Sequence, residues 1–364
     1  MVQDADPANN GKTVSMGASS TLQNFLEWGI STYPADRIGL ILWNHGGALK
    51  GVCYDENNDY DSLTSSEVKN AVSNAFNTLN RTEKLEWIGY DACLMQLQDI
   101  AEFNSAYFNY MVASEETEAG YGWDYDMWID DLYSKSSTET ILSTIADEFI
   151  EDNNYSHNSD GSRKTKNQTS YNDQTLSVLD LSAMSNYKTK WNTFSSNLAS
   201  KLSNFTYNSN SKGAASFQAF MKTVKTYGTS EYNSATELSN YGGMSTSSSA
   251  SNYYGNYGVV YSGGVYYDYG YNSYGLFDVK DFINKVKANS TLSSTSGISD
   301  VEAAFSQVVI HNAKGSAAGN SYGLCLFFPM HAYCDAKTYY TSSTTNFTTW
   351  LNSIVKTYAV YKEW

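Results

Sequence analysis

Two short apolar runs set the tightest limit on how this chain folds. Arg37 to Asn44 (R-I-G-L-I-L-W-N) and Leu85 to Tyr90 (L-E-W-I-G-Y) are too short for stable helices and are dominated by apolar residues. Runs of this kind mark strands buried on both faces. Helical spacing fills the intervals. Leu22, Phe25, Leu26 and Ile30 predict a helix over 20–36, ended by Pro34. Val68, Val72 and Phe76 predict another over 65–79, with Ser65 or Ser66 as its N-cap. A helix is expected over 94–103, a third strand at Tyr110 to Ala113, and a helix over 138–151. Later come a strand at Leu176 to Leu181 and helices over 182–205, 277–288 and 298–313. A strand from Tyr322 to Phe328, closed by Pro329, and a helix over 347–358 end the chain. Strands alternating with helices predict an α/β fold: a mainly parallel sheet covered by helices on both faces, with a smaller C-terminal part. The division expected is a core over 1–152, a polar linker over 153–174 and a C-terminal part over 175–364. The last carries a Tyr/Gly/Ser-rich insertion at 240–275, suited to a loop or irregular hairpin.

Composition narrows the class. The chain has 364 residues, enough for a sizeable core without disulfides or metal. Its 23 basic residues against 38 acidic ones give a formal charge of −15. That balance disfavours nucleic acid as a partner and favours cationic substrates. No apolar run approaches the ~20 residues of a membrane-spanning helix. Four cysteines do not make a disulfide framework. Only 17% of residues are charged, which points to an extracellular or cell-surface protein. The first seven residues are acidic and polar and do not read as a signal peptide.

In a sheet of this kind, ligands bind where the strands end. His45 follows the first run and Cys93 the second, 48 residues later. If the two strands are neighbours, both side chains leave the sheet at one edge. A cysteine attacks as its thiolate and needs a base or an electropositive setting. His45 supplies the base and can later protonate a leaving amine. The helix expected after Cys93 adds a favourable dipole. Gly46 has no Cβ, so its N–H, with that of Cys93, can form an oxyanion hole.

The surrounding words raise the weight of that pair. L-I-L-W-N-H-G-G (40–47) and W-I-G-Y-D-A-C-L-M (87–95) resemble the histidine turn and nucleophile turn of clostripain-like cysteine peptidases. Weaker matches at 113–123, 175–182, 276–282 and 323–329 extend the resemblance over most of the chain from about residue 20. Relatives of this kind usually begin with a further strand, which is not found ahead of that helix. The resemblance implies a caspase-like fold and cleavage after basic residues. It makes Asp91, two positions before Cys93, the reader of the basic side chain before the scissile bond (the P1 residue). Trp123, on the loop after the third strand, is the candidate to line that side chain's aliphatic stem.

The function expected is therefore a monomeric cysteine endopeptidase cutting after Arg or Lys through a thioacyl-enzyme, with no cofactor in the chemistry. The alternative is a non-catalytic surface binder using the Tyr-rich tract, or an inactive fragment lacking the first strand. Asp55 to Asp61 offers oxygen ligands suited to calcium, though a solvated acidic loop accounts for it better. Cys325, His331 and Cys334 lack the fourth ligand of a structural zinc site. His157 is expected to be solvated. Lys50, Arg81 and Lys84, and the exposed group Arg163, Lys164 and Lys166, are candidate autoprocessing sites.

Overall fold

A computed structural model describes residues 14–133, 136–158, 162–166, 172–202, 220, 223–227, 230–232, 259–262, 265–268 and 276–327. In chain order the helices are α1 (Ser19–Thr32), α2 (Ser65–Thr78), α3 (Gln98–Asn104), α4 (Thr138–Asp152), α5 (Met184–Leu202), α6 (Val279–Ala288) and α7 (Ile298–Val308). The first eight strands are β1 (Gly39–Trp43), β2 (Val52–Asp55), β3 (Asp61–Leu63), β4 (Leu85–Asp91), β5 (Phe108–Ala113), β6 (Tyr155–His157), β7 (Arg163–Lys166) and β8 (Thr175–Asp180). The rest are β9 (Thr226–Tyr227), β10 (Ser230–Tyr232), β11 (Val259–Ser262), β12 (Val265–Asp268), β13 (Leu276–Asp278), β14 (Val309–Lys314) and β15 (Cys325–Phe327).

The chain divides into two compact units. The first takes the described residues up to 185 and those over 306–319. Its sheet has the order β1-β4-β5-β8-β14. The pairs β1–β4 and β4–β5 are parallel, while β5–β8 and β8–β14 are antiparallel. Four of the five strands therefore point the same way and only β8 is reversed. β8 is an inner strand of this sheet, so the division expected at 153–174 falls inside the unit. That stretch is no loose linker, since β6 and β7 pair as an antiparallel hairpin.

Alternation along β4 places the site. Trp87 belongs to a core cluster with Trp123, Trp128, Val112, Leu176 and the apolar face of α4. Gly89 faces the same way, because a Cβ there would sit 2.9 Å from the rings of both Trp87 and Trp123. By the two-residue period Asp91 shares that face. Tyr90 points to the other face, where its hydroxyl accepts from Asn104 Nδ2 of α3 at 2.9 Å. Each fully buried aromatic of this kind contributes on the order of 1.5–3 kcal/mol.

Several expectations need correction. β1 is an edge strand, so it alternates rather than being buried on both faces. Leu40 and Leu42 are buried, but Trp43 is 67% exposed. The N-cap of α2 is Thr64, in a capping box with Glu67, rather than Ser65 or Ser66. The helix read over 298–313 stops at Val308, and Val309–Lys314 is β14. In the second unit β15, β13 and β9 form one small sheet, and β10, β12 and β11 another. The pair β11–β12 is the hairpin expected within 240–275. The helix expected over 347–358 and residues His331 and Cys334 lie outside the described residues.

Candidate active site

The register of β1 on β4 relates the two chemistry-bearing turns. Each residue of β1 lies opposite the one 48 positions later, from Gly39 opposite Trp87 to Trp43 opposite Asp91. His45 and Cys93 are the same distance apart in sequence. Each therefore stands two residues beyond the last pair, at one carboxyl edge. The turns also interlock. A Cβ on Gly46 would lie 2.2 Å from the carbonyl oxygen of Cys93 and 3.0 Å from its nitrogen. Only glycine lets the backbones meet this closely.

Both turns are strained. Asn44, just before His45, has φ 127°, and Leu94, just after Cys93, has φ 65°. Such conformations cost about 1–3 kcal/mol each and gather at functional sites. Asn44 Oδ1 accepts from the His45 N–H at 2.5 Å, and the Asn44 N–H reaches Asp91 O at 3.4 Å.

Cys93 is half-buried. Its sulfur accepts from the Glu118 N–H at 3.3 Å. The backbone N–H groups of Gly46 and of Cys93 itself also favour negative charge on it. Burial still pushes the thiol above its ordinary range. The helix expected to lower it does not start there. Residues 93–94 form a turn, and α3 begins only at Gln98. The His45 imidazole is 66% exposed and lies 3.6 Å from Glu56 Oε1. It makes no hydrogen bond to Cys93. The structure brings the two residues to one edge without joining their side chains.

Asp91 ends β4, is 3% exposed, and its Oδ2 accepts from the Trp123 N–H at 3.3 Å and the Tyr125 hydroxyl at 2.9 Å. Gly122, with φ +67°, lets the loop close over it, for a Cβ there would stand 3.0 Å from Asp91 Oδ1. Trp123 does not line an open pocket. Its indole is 3% exposed in the core cluster, and its backbone N–H is what meets the carboxylate.

Sequence reading missed Glu118. Its carboxyl oxygens are sealed from solvent and complete no hydrogen bond, and its side chain faces Asp91, the Trp123 side chain and the Ala92 backbone. The loop carrying it is clamped to the start of β8. Gln174 Oε1 accepts from the Ala119 N–H at 2.8 Å, and Gln174 Nε2 donates to Thr117 O at 2.8 Å. Thr175 Oγ1 accepts from the Glu115 N–H at 3.1 Å. Nothing in a polar loop sequence announces that it folds under a turn 25 residues earlier.

The other candidates separate from this site. His157 is not solvated: its side chain is 3% exposed and its Nε2 lies 3.0 Å from Asp152 Oδ2. Arg163 is half-buried rather than exposed, held by Asp152 at 2.7 Å, Glu148 at 3.1 Å and Asp124 at 3.2 Å. Asp55 accepts from the N–H of Met16 and Asn57 and from Asn58 Nδ2, so its oxygens are occupied by the chain itself. Cys325 is buried in β15. Among the described residues no group of three or more His, Cys, Asp or Glu is placed to hold a metal ion. No described helix is long and apolar enough to cross a membrane.

Comparison with known proteins agrees with the geometry. A sequence profile of the clostripain family matches residues 6–350. Clostripain of Hathewaya histolytica is 25% identical over 143 residues, which are 34% of this chain and only 26% of that protein's length. A secreted C11 cysteine protease from Bacteroides thetaiotaomicron, solved with an irreversible peptide inhibitor, has a similar fold. Its TM-score is 0.56 at 12% identity, covering 97% of this chain and 80% of that one. An inactive zymogen C11 protease from Parabacteroides distasonis gives 0.53 at 14% identity, covering 94% and 78%. With a caspase-like α/β unit, the two turns at one sheet edge and a profile match over nearly the whole sequence, this chain belongs to the clostripain family of cysteine peptidases.

Proposed function

We propose that the protein is an endopeptidase that cleaves peptide bonds after Arg or Lys, with Cys93 as nucleophile and His45 as general base and acid. The observation that carries this is the shared offset of 48, which sets both residues two positions past a common register pair. His45 takes the proton from the Cys93 thiol, and the sulfur attacks the scissile carbonyl carbon. The N–H groups of Gly46 and Cys93 donate to the oxyanion. The tetrahedral intermediate collapses to a thioacyl-enzyme as the imidazolium gives its proton to the leaving amine. Water, deprotonated by His45, then attacks the thioester, and the thiolate leaves and is reprotonated. Asp91 pairs with the P1 cation, a charge-assisted contact that gains strength once water is excluded.

The chemistry draws on no cofactor. We place the protein outside the cell as a monomer acting on peptides and proteins, and its acidic surface draws in cationic segments. Self-cleavage at Lys50, Arg81, Lys84, Lys164 or Lys166 belongs to the same proposal.

The reaction needs His45 to leave Glu56 and meet the thiol. The Glu56 contact and the raised thiol favour one other reading, a non-catalytic binder on this scaffold. Fluorogenic peptides ending in Arg, Lys or citrulline, with and without iodoacetamide, separate the two. Cleavage of the cationic peptides alone, abolished by alkylation and by Cys93→Ala, supports the peptidase. No turnover under reducing conditions, with or without calcium, supports the binder.

A further inference from the structure

The feature that the proposed reaction leaves unused is the second carboxyl beside Asp91. Two carboxyl groups meet under the 114–122 loop, and the donors are divided unequally between them. Asp91 receives the Trp123 N–H and the Tyr125 hydroxyl. Both oxygens of Glu118 are buried and complete no hydrogen bond, although the Trp123 side chain and the Ala92 backbone favour its anion in part. The other titratable groups facing the pair are the Cys93 thiol on the β4 turn and the Tyr125 phenol, neither of which carries positive charge. Asp124, next in the loop, is drawn away to Arg163. No Lys, Arg or His side chain pairs with either carboxyl among the described residues.

Two adjacent buried carboxylates without a cation cannot both stay ionised. The donors stabilise the anion on Asp91, so the proton belongs on Glu118, whose O–H can then donate to Asp91. The acid is pushed well above the ordinary range by burial and by the Asp91 charge.

Building on the reading of Asp91 as the P1 contact, we propose that Glu118 is a specificity-determining residue that holds one proton in the empty site and gives it to solvent when a cationic P1 side chain enters. The arriving guanidinium or ammonium lowers the cost of a second negative charge. One proton leaves as one positive charge arrives, so the charge of the pocket complex is unchanged by the exchange. The Glu118 O–H bond breaks, its electron pair stays on the carboxylate, and the proton goes to water. A neutral P1 side chain has no such effect. Affinity for basic peptides therefore rises with pH, by up to about tenfold per pH unit while the proton is still bound, and levels off above that range.

The test uses the full chain carrying Cys93→Ala, titrated calorimetrically with an Arg-ended peptide and its citrulline-ended counterpart. Running the titration at one pH in phosphate and in Tris, which differ in ionisation enthalpy, counts the protons released. Release approaching one per Arg peptide, absent with citrulline and absent from the weaker Arg binding that remains when Glu118→Gln is added, supports the inference. Arg peptide that binds with no proton release, or with the same release in Glu118→Gln, overturns it while leaving Asp91 as the P1 contact. Equal affinity for Arg and citrulline, or no binding of either, removes that contact and the inference together. A second measurement guards against a misfolded variant. The infrared spectrum of the ligand-free Cys93→Ala chain at neutral pH should show a protonated-carboxyl band that fades as Arg peptide is added. A band unmoved by saturating peptide overturns the inference.

Discussion

Replacing Gly46 with alanine tests the interlock of the two turns most directly. The added methyl would sit 2.2 Å from the Cys93 carbonyl oxygen, where ordinary contact begins near 3.4 Å. One turn must therefore retreat from the other by about 1 Å. Both obstructing atoms belong to backbone, so no side-chain rotation relieves the clash. Overpacking of this kind costs about 1–3 kcal/mol of stability. The retreat also pulls the Gly46 N–H away from the oxyanion, and loss of one such donor costs about 10²–10³ in rate, or about 2.7–4 kcal/mol. The expected result is a fall of that size in kcat/KM on an Arg-ended fluorogenic peptide, expressed mainly in kcat. The melting temperature drops by roughly 2–10 °C. Gly29→Ala is the matched control, because nothing lies within 4 Å of its Cβ position in α1. It should leave kcat/KM alone and raise stability by about 0.5–1 kcal/mol. A folded Gly46→Ala enzyme working within about threefold of the parent would show that the two turns do not form a common oxyanion site.

Three further outcomes follow from the same geometry. Glu56→Gln frees the imidazole of His45, and because both partners are well exposed the pair is worth at most about 1 kcal/mol; turnover should rise, by no more than about fivefold. Burial holds the Cys93 thiol above its ordinary range, so its neutral form persists to higher pH than in a free cysteine. Alkylation by iodoacetamide should thus keep accelerating past about pH 8.5 in the peptide-free enzyme, and a plateau below pH 7 would contradict the desolvated thiol. Arg163→Ala leaves Asp152, itself 5% exposed, without its guanidinium. It should lower stability by about 1–3 kcal/mol, read as a reduced melting temperature, while Lys164→Ala should not.

The parts of the fold that could be read from sequence are those governed by local pattern. β1 and β4 declared themselves as brief apolar runs, and their 48-residue offset already contained the site, since register and spacing turned out to be one number. What escaped was set at long range. Val309 to Lys314 continues the apolar character of α7 and becomes a strand only because β8 offers an edge for it to pair with. Trp43 reads as core in a run of apolar neighbours, yet lies exposed on β1, which pairs on one side alone among the described strands. Trp123 reads as a pocket wall beside two aspartates, but Gly89 leaves a flat bed into which its ring sinks. His157 and Arg163 sit in a sequence that looks solvated, and only the carboxylates of α4 draw them in. Glu118 is the extreme case. Its environment is made by Gln174 and Thr175, more than fifty residues downstream, and no periodicity records that clamp.

The placement of β14 has a consequence for how the protein comes off the ribosome. Both turns of the candidate site are synthesised within the first hundred residues, but the strand that closes the other side of β8 arrives only after residue 309. Until then β8 presents a bare edge, with Leu176 and Val178 still awaiting the late-made Ala313 that joins their cluster. Bringing such distant segments together is slow. A nascent chain thus carries its nucleophile on an unfinished sheet until residue 309 is made, and a polypeptide cut short at residue 185 would keep that raw edge and aggregate.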